Sequence, residues 1–449
     1  MTPTNNPITQ FLAMEPTNDQ VKALNGIYRL FTDNRENDFL IIRGSAGTGK
    51  STLIKAVSDY LTQKELRFYL AAPTGKAAKV VQKKTGYTVR TIHSLIYKPE
   101  PLEHGCGVKM VRKQNLSAEP SIFIIDEASM ISDILTNNES FIASKPLLSD
   151  LLDFIKQGNV SNQVIFIGDV YQLPPIGSND SPALSPIYLQ KIKGLNGEMV
   201  DLTEVKRQGS NSYILRNATL LRQCISEGVP FPGIDSKMLD RSTTALRKYI
   251  ELYDPENFNI VTVLAWTNRD VNWFNNAIRD RLGNNPKPIS LGDQLTLHSN
   301  WLGNGRMIMK GDSGIVRQYD DLIEQYAGLH FVSVGIEFVD SLGEKFTVYS
   351  KVLLESLISQ DGEIGFEKEN ALFAEAMKHN VTFRESKTPS DDKYLGAMRL
   401  RYGYAITCHK AQGGEWDNII LHPWLPKNDY RWQYTAVTRA AKELYSFVG

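Results

Sequence analysis

The stretch Ile41-Ile42-Arg43-Gly44-Ser45-Ala46-Gly47-Thr48-Gly49-Lys50-Ser51-Thr52 decides how the rest of the chain is read, because it writes out G-x-x-x-x-G-K-S directly after an apolar run. Residues 39–42 have the β-branched, apolar character of a buried parallel strand, and residues 52–60 carry apolar side chains at helical spacing. The glycines therefore stand at a strand-to-helix turn. Gly44, Gly47 and Gly49 let the backbone bend until its N–H groups face an anion, and the positive end of the helix opening near Lys50 strengthens that field. Lys50 would reach the β- and γ-phosphates of a nucleotide, and Ser51 offers a hydroxyl to Mg²⁺.

A chain of 449 residues exceeds what one hydrophobic core usually organises, so two or three domains are expected. Hydrophobic residues at 42% and charged residues at 22% are ordinary for a soluble globular protein, and no apolar run approaches a membrane span. Residues 1–10 are polar and lack the order of a secretory signal, so a cytoplasmic protein with no membrane association is expected. Cys106, Cys224 and Cys408 are far apart and form no C-x-x-C pair, which indicates neither a disulfide framework nor a zinc site. Lysine plus arginine equals aspartate plus glutamate at 50 each, so nucleic-acid binding would need a local channel rather than an overall basic field.

Upstream of the phosphate loop, Glu15-Pro16-Thr17-Asn18-Asp19-Gln20 precedes a helical pattern through Val21, Leu24, Ile27, Tyr28 and Phe31. Gln20 has two readings: the third residue of a Thr17 capping box, or a side-chain amide that reads an adenine edge. Downstream, residues 68–72 make the next strand, and Pro73-Thr74-Gly75-Lys76 opens a helix. Thr74, the backbone near Gly75 and Lys76 either hold a phosphate of an extended substrate or form an ordinary connection. Thr91-Ile92-His93-Ser94-Leu95 leads into a polar stretch, 97–120. There Val108, Met110 and Val111 alternate with basic residues, as in one arm of a small hairpin turning near His104 to Gly107; a solvated loop is the alternative.

Ser121-Ile122-Phe123-Ile124-Ile125 is the most strand-like run, and Asp126-Glu127-Ala128-Ser129 stands at its carboxyl end, where open parallel sheets place their ligands. Asp126 would hold Mg²⁺ through water, and Glu127 would orient and deprotonate an attacking water. A second strand at 164–168 ends in Asp169, with Gln172 close behind as a candidate γ-phosphate sensor. Arg207, in Leu202-Thr203-Glu204-Val205-Lys206-Arg207, is a candidate to neutralise transition-state charge. Another strand at 260–265 opens a second half without a phosphate loop of its own. Short β-like runs follow from about Gly283, charged and poorly periodic sequence fills 359–392, and α/β texture returns at 400–406. Thr407, His409, Lys410, Gln412 and Gly413 cluster next, then a strand at 418–421, and a helix at 434–440 after a tryptophan-rich loop.

The order of these motifs resembles superfamily 1 DNA helicases of the RecD-like group, most closely the compact phage Dda helicases. The resemblance rests on GSAGTGKS at 44–51, APTGKAA at 72–78, TIHSL at 91–95 and DEAS at 126–129. It continues with GDVYQLPP at 168–175, LTEVKR at 202–207, YAITCHKAQGGE at 404–415 and YTAVTRA at 434–440. It implies two RecA-like P-loop NTPase-type α/β domains with a small β-hairpin pin insertion and an SH3-like β-rich insertion. The implied bounds are 1–96 with 121–204 for the first domain, 97–120 for the pin, 205–283 with 400–449 for the second domain, and 284–399 for the β-rich insertion. It implies ATP and Mg²⁺ as cofactors, with Gln20, Gly44, Gly47, Thr48, Gly49, Lys50, Ser51 and Gln412 on the nucleotide and Ser51 and Asp126 on the metal. Lys50, Glu127, Gln172, Arg207 and Arg439 would carry hydrolysis, and Pro73, Thr74, Lys76, His93, Thr407 and His409 would line the single-stranded DNA path. The implied activity is a 5′-to-3′ DNA helicase that couples ATP hydrolysis to domain closure and displaces bound proteins, in replication, repair or recombination. Its partners would be single-stranded and forked duplex DNA and a single-stranded DNA-binding protein, with the chain acting as a monomer. The chain departs from the pattern at the pin: such hairpins often present an aromatic ring, whereas this one has Tyr97 at its base and His104 near its turn. A small-molecule P-loop kinase would leave Gln172, Thr407, His409 and Arg439 without roles, and a non-catalytic DNA-binding subunit would carry a damaged nucleotide site.

Overall fold

The computed structural model describes residues 6–32, 37–101, 108–135, 137, 141–205, 213–240, 242–303, 306–340, 343–359 and 363–447. The chain divides into two compact units, Met1–Glu100 with Lys109–Ser210, and Pro101–Val108 with Asn211–Gly449. Among the described residues no helix is long and apolar enough to cross a membrane.

In the first unit the strands follow as β1 (Phe39–Gly44), β2 (Phe68–Ala72), β3 (Val89–Thr91), β4 (Tyr97–Pro101), β5 (Val108–Arg112), β6 (Ile122–Ile125), β7 (Phe141–Ala143), β8 (Gln163–Gly168) and β9 (Gly197–Leu202). Six of them pair in the wholly parallel order β3-β2-β6-β8-β1-β9. A parallel sheet must be covered on both faces, and its strands read as continuous apolar runs because side chains alternate between two cores. Leu40 and Ile42 of β1 enter one core with Ile124 and Ile165, while Phe39 and Ile41 enter the other with Phe123 and Phe166. Helices α1 (Asn18–Thr32), α2 (Lys50–Gln63) and α3 (Gly75–Thr85) cover the first face, and α4 (Ile92–Ile96), α5 (Leu147–Gly158) and α6 (Pro186–Lys191) the second. Strands β4 and β5 form a hairpin, as the alternation over 108–112 anticipates, and β7 joins them as a third strand that the sequence did not announce. The turn between them, with His104 and Cys106, lies outside the described residues.

The second unit runs α7 (Tyr213–Glu227), β10 (Lys237–Leu239), α8 (Ser242–Leu252), β11 (Val261–Ala265), α9 (Asn268–Arg281), β12 (Gln294–Leu297), β13 (Trp301–Gly303), β14 (Arg306–Ile308), β15 (Ser313–Tyr326), β16 (Leu329–Val339) and β17 (Lys345–Leu353). It continues with α10 (Leu354–Ile358), α11 (Phe366–His379), α12 (Val381–Ser386), β18 (Leu400–Tyr402), β19 (Ala405–Thr407), α13 (Cys408–Ala411), β20 (Trp416–Leu421), α14 (Tyr430–Val437) and β21 (Ala440–Phe447). A parallel sheet, β10-β21-β20-β11-β19, and an antiparallel one, β17-β16-β15-β12-β18, share one continuous core: Val263, Phe274 and Ile278 lie in the same cluster as Leu295, Val316, Ile336 and Val352. The buried Arg279 joins the two, giving Asp293 a two-pronged bond at 3.0 and 2.9 Å and donating to the Tyr402 hydroxyl at 3.0 Å.

Two readings of the second half are corrected. The stretch 400–406 is not all α/β: Leu400–Tyr402 pairs antiparallel with β12, and only Ala405–Thr407 joins β11 in the parallel sheet. The late helix spans Tyr430–Val437 rather than 434–440, because the Asp429 carboxylate accepts from Trp432 N–H at 2.9 Å and starts the helix within the tryptophan-rich segment. Arg439 therefore sits in the turn before β21, a strand the sequence reading did not contain. Within the charged, poorly periodic stretch, Leu372 and Ala376 of α11 and Phe383 of α12 pack on Phe331 and Leu353 of the antiparallel sheet in a second small core.

Candidate nucleotide site and strand-facing loops

Gly47 and Gly49 both adopt φ of +86°, and α2 begins at Lys50 with no side chain capping its first N–H groups. Orphan donors at a helix start with the dipole behind them suit an anion. The Lys50 Nζ lies across the loop, donating to the Gly44 carbonyl at 2.5 Å and the Ser45 carbonyl at 3.0 Å. The Thr48 hydroxyl donates to the Ser45 carbonyl at 2.9 Å, and a side chain at Gly44 would collide with that hydroxyl.

Both structural halves of the capping box are present at Gln20: its N–H donates to Thr17 Oγ1 at 3.1 Å, and its Oε1 accepts from Thr17 N–H at 3.0 Å. The same side chain also reaches the phosphate loop, its Nε2 donating to the Thr48 carbonyl at 3.0 Å. A Cβ at Gly49 would run into that amide, so the glycine is required there by the neighbour as well as by its φ.

Strand β8 separates β1 from β6 in the sheet, with Arg43 level with Gly168 and Ile125 level with Phe166. The phosphate loop, the Asp126-Glu127 pair and the segment carrying Gln172 thus leave three consecutive strands on one edge. Gly168 packs so closely that a Cβ would approach Ser129 N to 3.0 Å. Asp126 Oδ1, Glu127 Oε2 and Gln172 Oε1 are all buried and accept no hydrogen bond among the described residues. Burial pushes the Asp126 carboxyl up to about 7, the Glu127 charge adds to the rise, and Lys50 opposes it. Glu127 is held at φ of +51°, a conformation L-residues rarely adopt. Three orphaned acceptors beside a lysine and a serine hydroxyl fit a hydrated Mg²⁺ and a nucleotide. Among the described residues no cluster of three or more metal-ligating acids, histidines or cysteines exists.

Asp19 was passed over in the sequence. Its carboxylate accepts from Thr203 N–H at 2.9 Å and from the Thr203 hydroxyl at 2.6 Å, and these bonds hold it down at about 2. Glu204 accepts from Asp19 N–H at 3.3 Å in return. Consecutive residues, Asp19 and Gln20, therefore fasten the start of α1 to the exit of β9 and to the phosphate loop. A carboxylate in a helix's first turn was the available signal, but its partner lies 184 positions away.

Pro73 and Thr74 follow β2, with Thr74 Oγ1 capping α3 by accepting from Ala77 N–H at 3.2 Å, and Lys76 lies in the first turn. His93 follows the neighbouring β3 and tilts against the Tyr97 ring at 5.8 Å. In the second unit Thr407 caps α13, His409 is exposed, and Gln412 is buried beside Gly414. Arg439 is buried, and its guanidinium donates to the Thr435 carbonyl at 3.1 Å, the Gly414 carbonyl at 3.0 Å and the Thr438 hydroxyl at 3.2 Å. These three acceptors are all neutral. Arg207 lies outside the described residues.

Fold and site together define an α/β protein with a P-loop nucleotide site. Residues 18–224 match the family model of an AAA domain, and residues 402–445 that of a UvrD-like helicase C-terminal domain. The chain is 29% identical to the ATP-dependent DNA helicase dda of Enterobacteria phage T4, covering 90% of this chain and 92% of that one. It is 26% identical to the ATP-dependent RecD2 DNA helicase of Deinococcus radiodurans, over 91% of this chain and 46% of that protein. The chain thus spans about half the length of that relative. The crystal structure of Pif1 helicase from Candida albicans superposes with a TM-score of 0.50 at 16% identity, covering 97% of this chain and 95% of that one, a likeness of fold. The resemblance to superfamily 1 helicases is therefore borne out: homologues of this chain are named as Dda, RecD2 and Pif1 helicases.

Proposed function

We propose that this chain is an ATP-dependent DNA helicase that moves 5′ to 3′ on single-stranded DNA and unwinds forked duplexes. The observation that carries the reading is the convergence of Lys50 with the unpartnered acceptors of Asp126, Glu127 and Gln172 at the carboxyl edge of one parallel sheet. Lys50 would neutralise the β- and γ-phosphates, Ser51 and Asp126 would hold the metal, and Glu127 would take the proton of the attacking water. Mg²⁺, when bound, supplies positive charge where the transferring phosphoryl group accumulates negative charge. Gln172 reports the γ-phosphate, Gln412 contributes to nucleotide binding, and Arg207 and Arg439 stabilise transition-state charge. Thr74, Lys76, His93, Thr407 and His409, with Pro73, form the strand path, which holds backbone more than base and so tolerates any sequence.

The domain bounds given above, the pin role of the β4–β5 hairpin, the SH3-like character of the antiparallel sheet, monomeric action, a single-stranded DNA-binding protein as partner, displacement of bound proteins and a cytoplasmic location belong to the same proposal. The test is unwinding of duplexes with a 5′ or a 3′ single-stranded tail. Separation of 5′-tailed substrates is expected, and separation of 3′-tailed substrates alone would overturn the direction. Shortening the hairpin between His104 and Gly107 should leave strand-stimulated ATP hydrolysis near the parent level while duplex separation falls sharply, because opening each base-pair step costs about 1.4 kcal/mol and needs a fixed obstacle. Unchanged unwinding would remove the pin role.

A further inference from the structure

Trp266 is the first residue after β11, and 46% of its surface is exposed. An exposed tryptophan at a strand exit is ordinarily a loose ring. This one is not, because its inner face stacks on Trp432 with ring centroids 6.2 Å apart and planes 21° from parallel. Trp432 is itself 2% exposed, so its ring is confined by burial; its backbone N–H donates to Asp429 and its backbone carbonyl accepts from the Cys408 thiol at 3.6 Å, while its indole N–H has no partner among the described residues. The outer indole therefore rests on a buried ring before anything binds. Trp424, on the exit of the adjacent β20, is more exposed at 79% but has no ring stacked on it among the described residues.

Two exposed cations, Lys410 and Arg269, stand near the ring, together with the Asp270 carboxylate of the α9 capping box. In the β11–β19 register Ala265 is level with Thr407, which brings Trp266 level with the start of α13, where Lys410 is exposed and donates to Asn268 at 3.5 Å. Arg269, exposed in the first turn of α9, makes no ion pair among the described residues. A rigid aromatic face beside cations is the arrangement that takes an unpaired nucleobase on the ring and the adjoining phosphates on the charges. A partner protein's apolar side chain would find cations rather than an apolar rim.

We propose that Trp266 is a stacking platform for one unpaired base of a bound single strand. The inference rests on the helicase reading and adds to it a residue that grips base rather than backbone, indifferent to base identity because every base presents a π-face.

The test is a binding cycle on the full chain at fixed salt, using a fluorescent oligo-dT and an abasic oligomer of equal length. Wild type should bind oligo-dT about tenfold more tightly than the abasic strand. Trp266→Ala should lose about that factor on oligo-dT and nothing on the abasic strand, and Trp266→Phe should recover most of the loss. If Trp266→Ala does not fold, Trp266→Leu, which keeps apolar volume but has no π-face, reads the base term in its place, and an undiminished preference for oligo-dT over the abasic strand in that variant would overturn the proposal. Equal loss on both oligomers would mean that Trp266 acts on fold or backbone, and no loss on either that the ring touches no base; both overturn the platform and leave the helicase reading standing. Failure of wild type to bind either oligomer would overturn the helicase reading, and the platform with it.

Discussion

Gln20 Nε2 donates to the Thr48 carbonyl at 3.0 Å, which makes the first turn of α1 a strut for the phosphate loop. An amide that served adenine alone would matter only for adenine nucleotides. A strut matters for every triphosphate. Gln20→Ala should therefore weaken ATP and GTP alike, by about fivefold for one net hydrogen bond near 1 kcal/mol. Titration of both nucleotides checks this, and a loss confined to ATP would leave the Thr48 contact without consequence.

Lys50→Ala should abolish ATP turnover while single-strand binding persists, since Lys50 faces the loop carbonyls and not the loops after β2 and β3. Glu127→Gln keeps shape and removes the base, so nucleotide should bind and turnover fall by about 10²–10⁴. Rapid hydrolysis by that variant would assign the base elsewhere.

Arg439 donates to two carbonyls and a hydroxyl, so its head is oriented with no carboxylate paired to it among the described residues. An arginine so placed should act on transition-state charge: Arg439→Lys keeps a cation but cannot keep three fixed donors, and kcat should fall with little change in KM. A change in KM alone would make it a ground-state contact.

The Asp19 carboxyl is held at about 2, below its ordinary value of 3.8, chiefly by Thr203. A depressed acid stabilises the fold above its unfolded pKa, and that contribution disappears as pH falls through its folded one. Asp19→Asn should therefore cost about 1–2 kcal/mol at pH 7, and the gap from wild type should close between about pH 4 and pH 2. Denaturant unfolding at pH 7 and pH 3 measures it; a gap that stayed constant would exclude the charge as its source.

Arg279→Ala would strand the fully buried Asp293 and should destabilise the second unit by about 3–5 kcal/mol. Replacing both residues by apolar ones should recover much of the loss, and a double variant as unstable as the single would show that packing, not charge, set the cost.

By itself the sequence determined what short-range chemistry encodes. The 41–52 stretch carries its strand, turn and helix within twelve positions, and the Asp126-Glu127 pair announces itself by ending an apolar run. The capping role of Gln20 was legible because its partner is three residues away. Long-range pairing decided the rest. Nothing local in Leu400–Tyr402 distinguishes a strand that pairs antiparallel with β12 from one continuing the parallel sheet; the pairing depends on residues about a hundred positions upstream. Strand β7, the bond from Gln20 to Thr48, the Asp19–Thr203 link and the Trp266–Trp432 stack are likewise products of topology. Periodicity reports which face of an element is apolar, whereas the partner that covers that face is chosen only when distant segments compete for it in the folded chain.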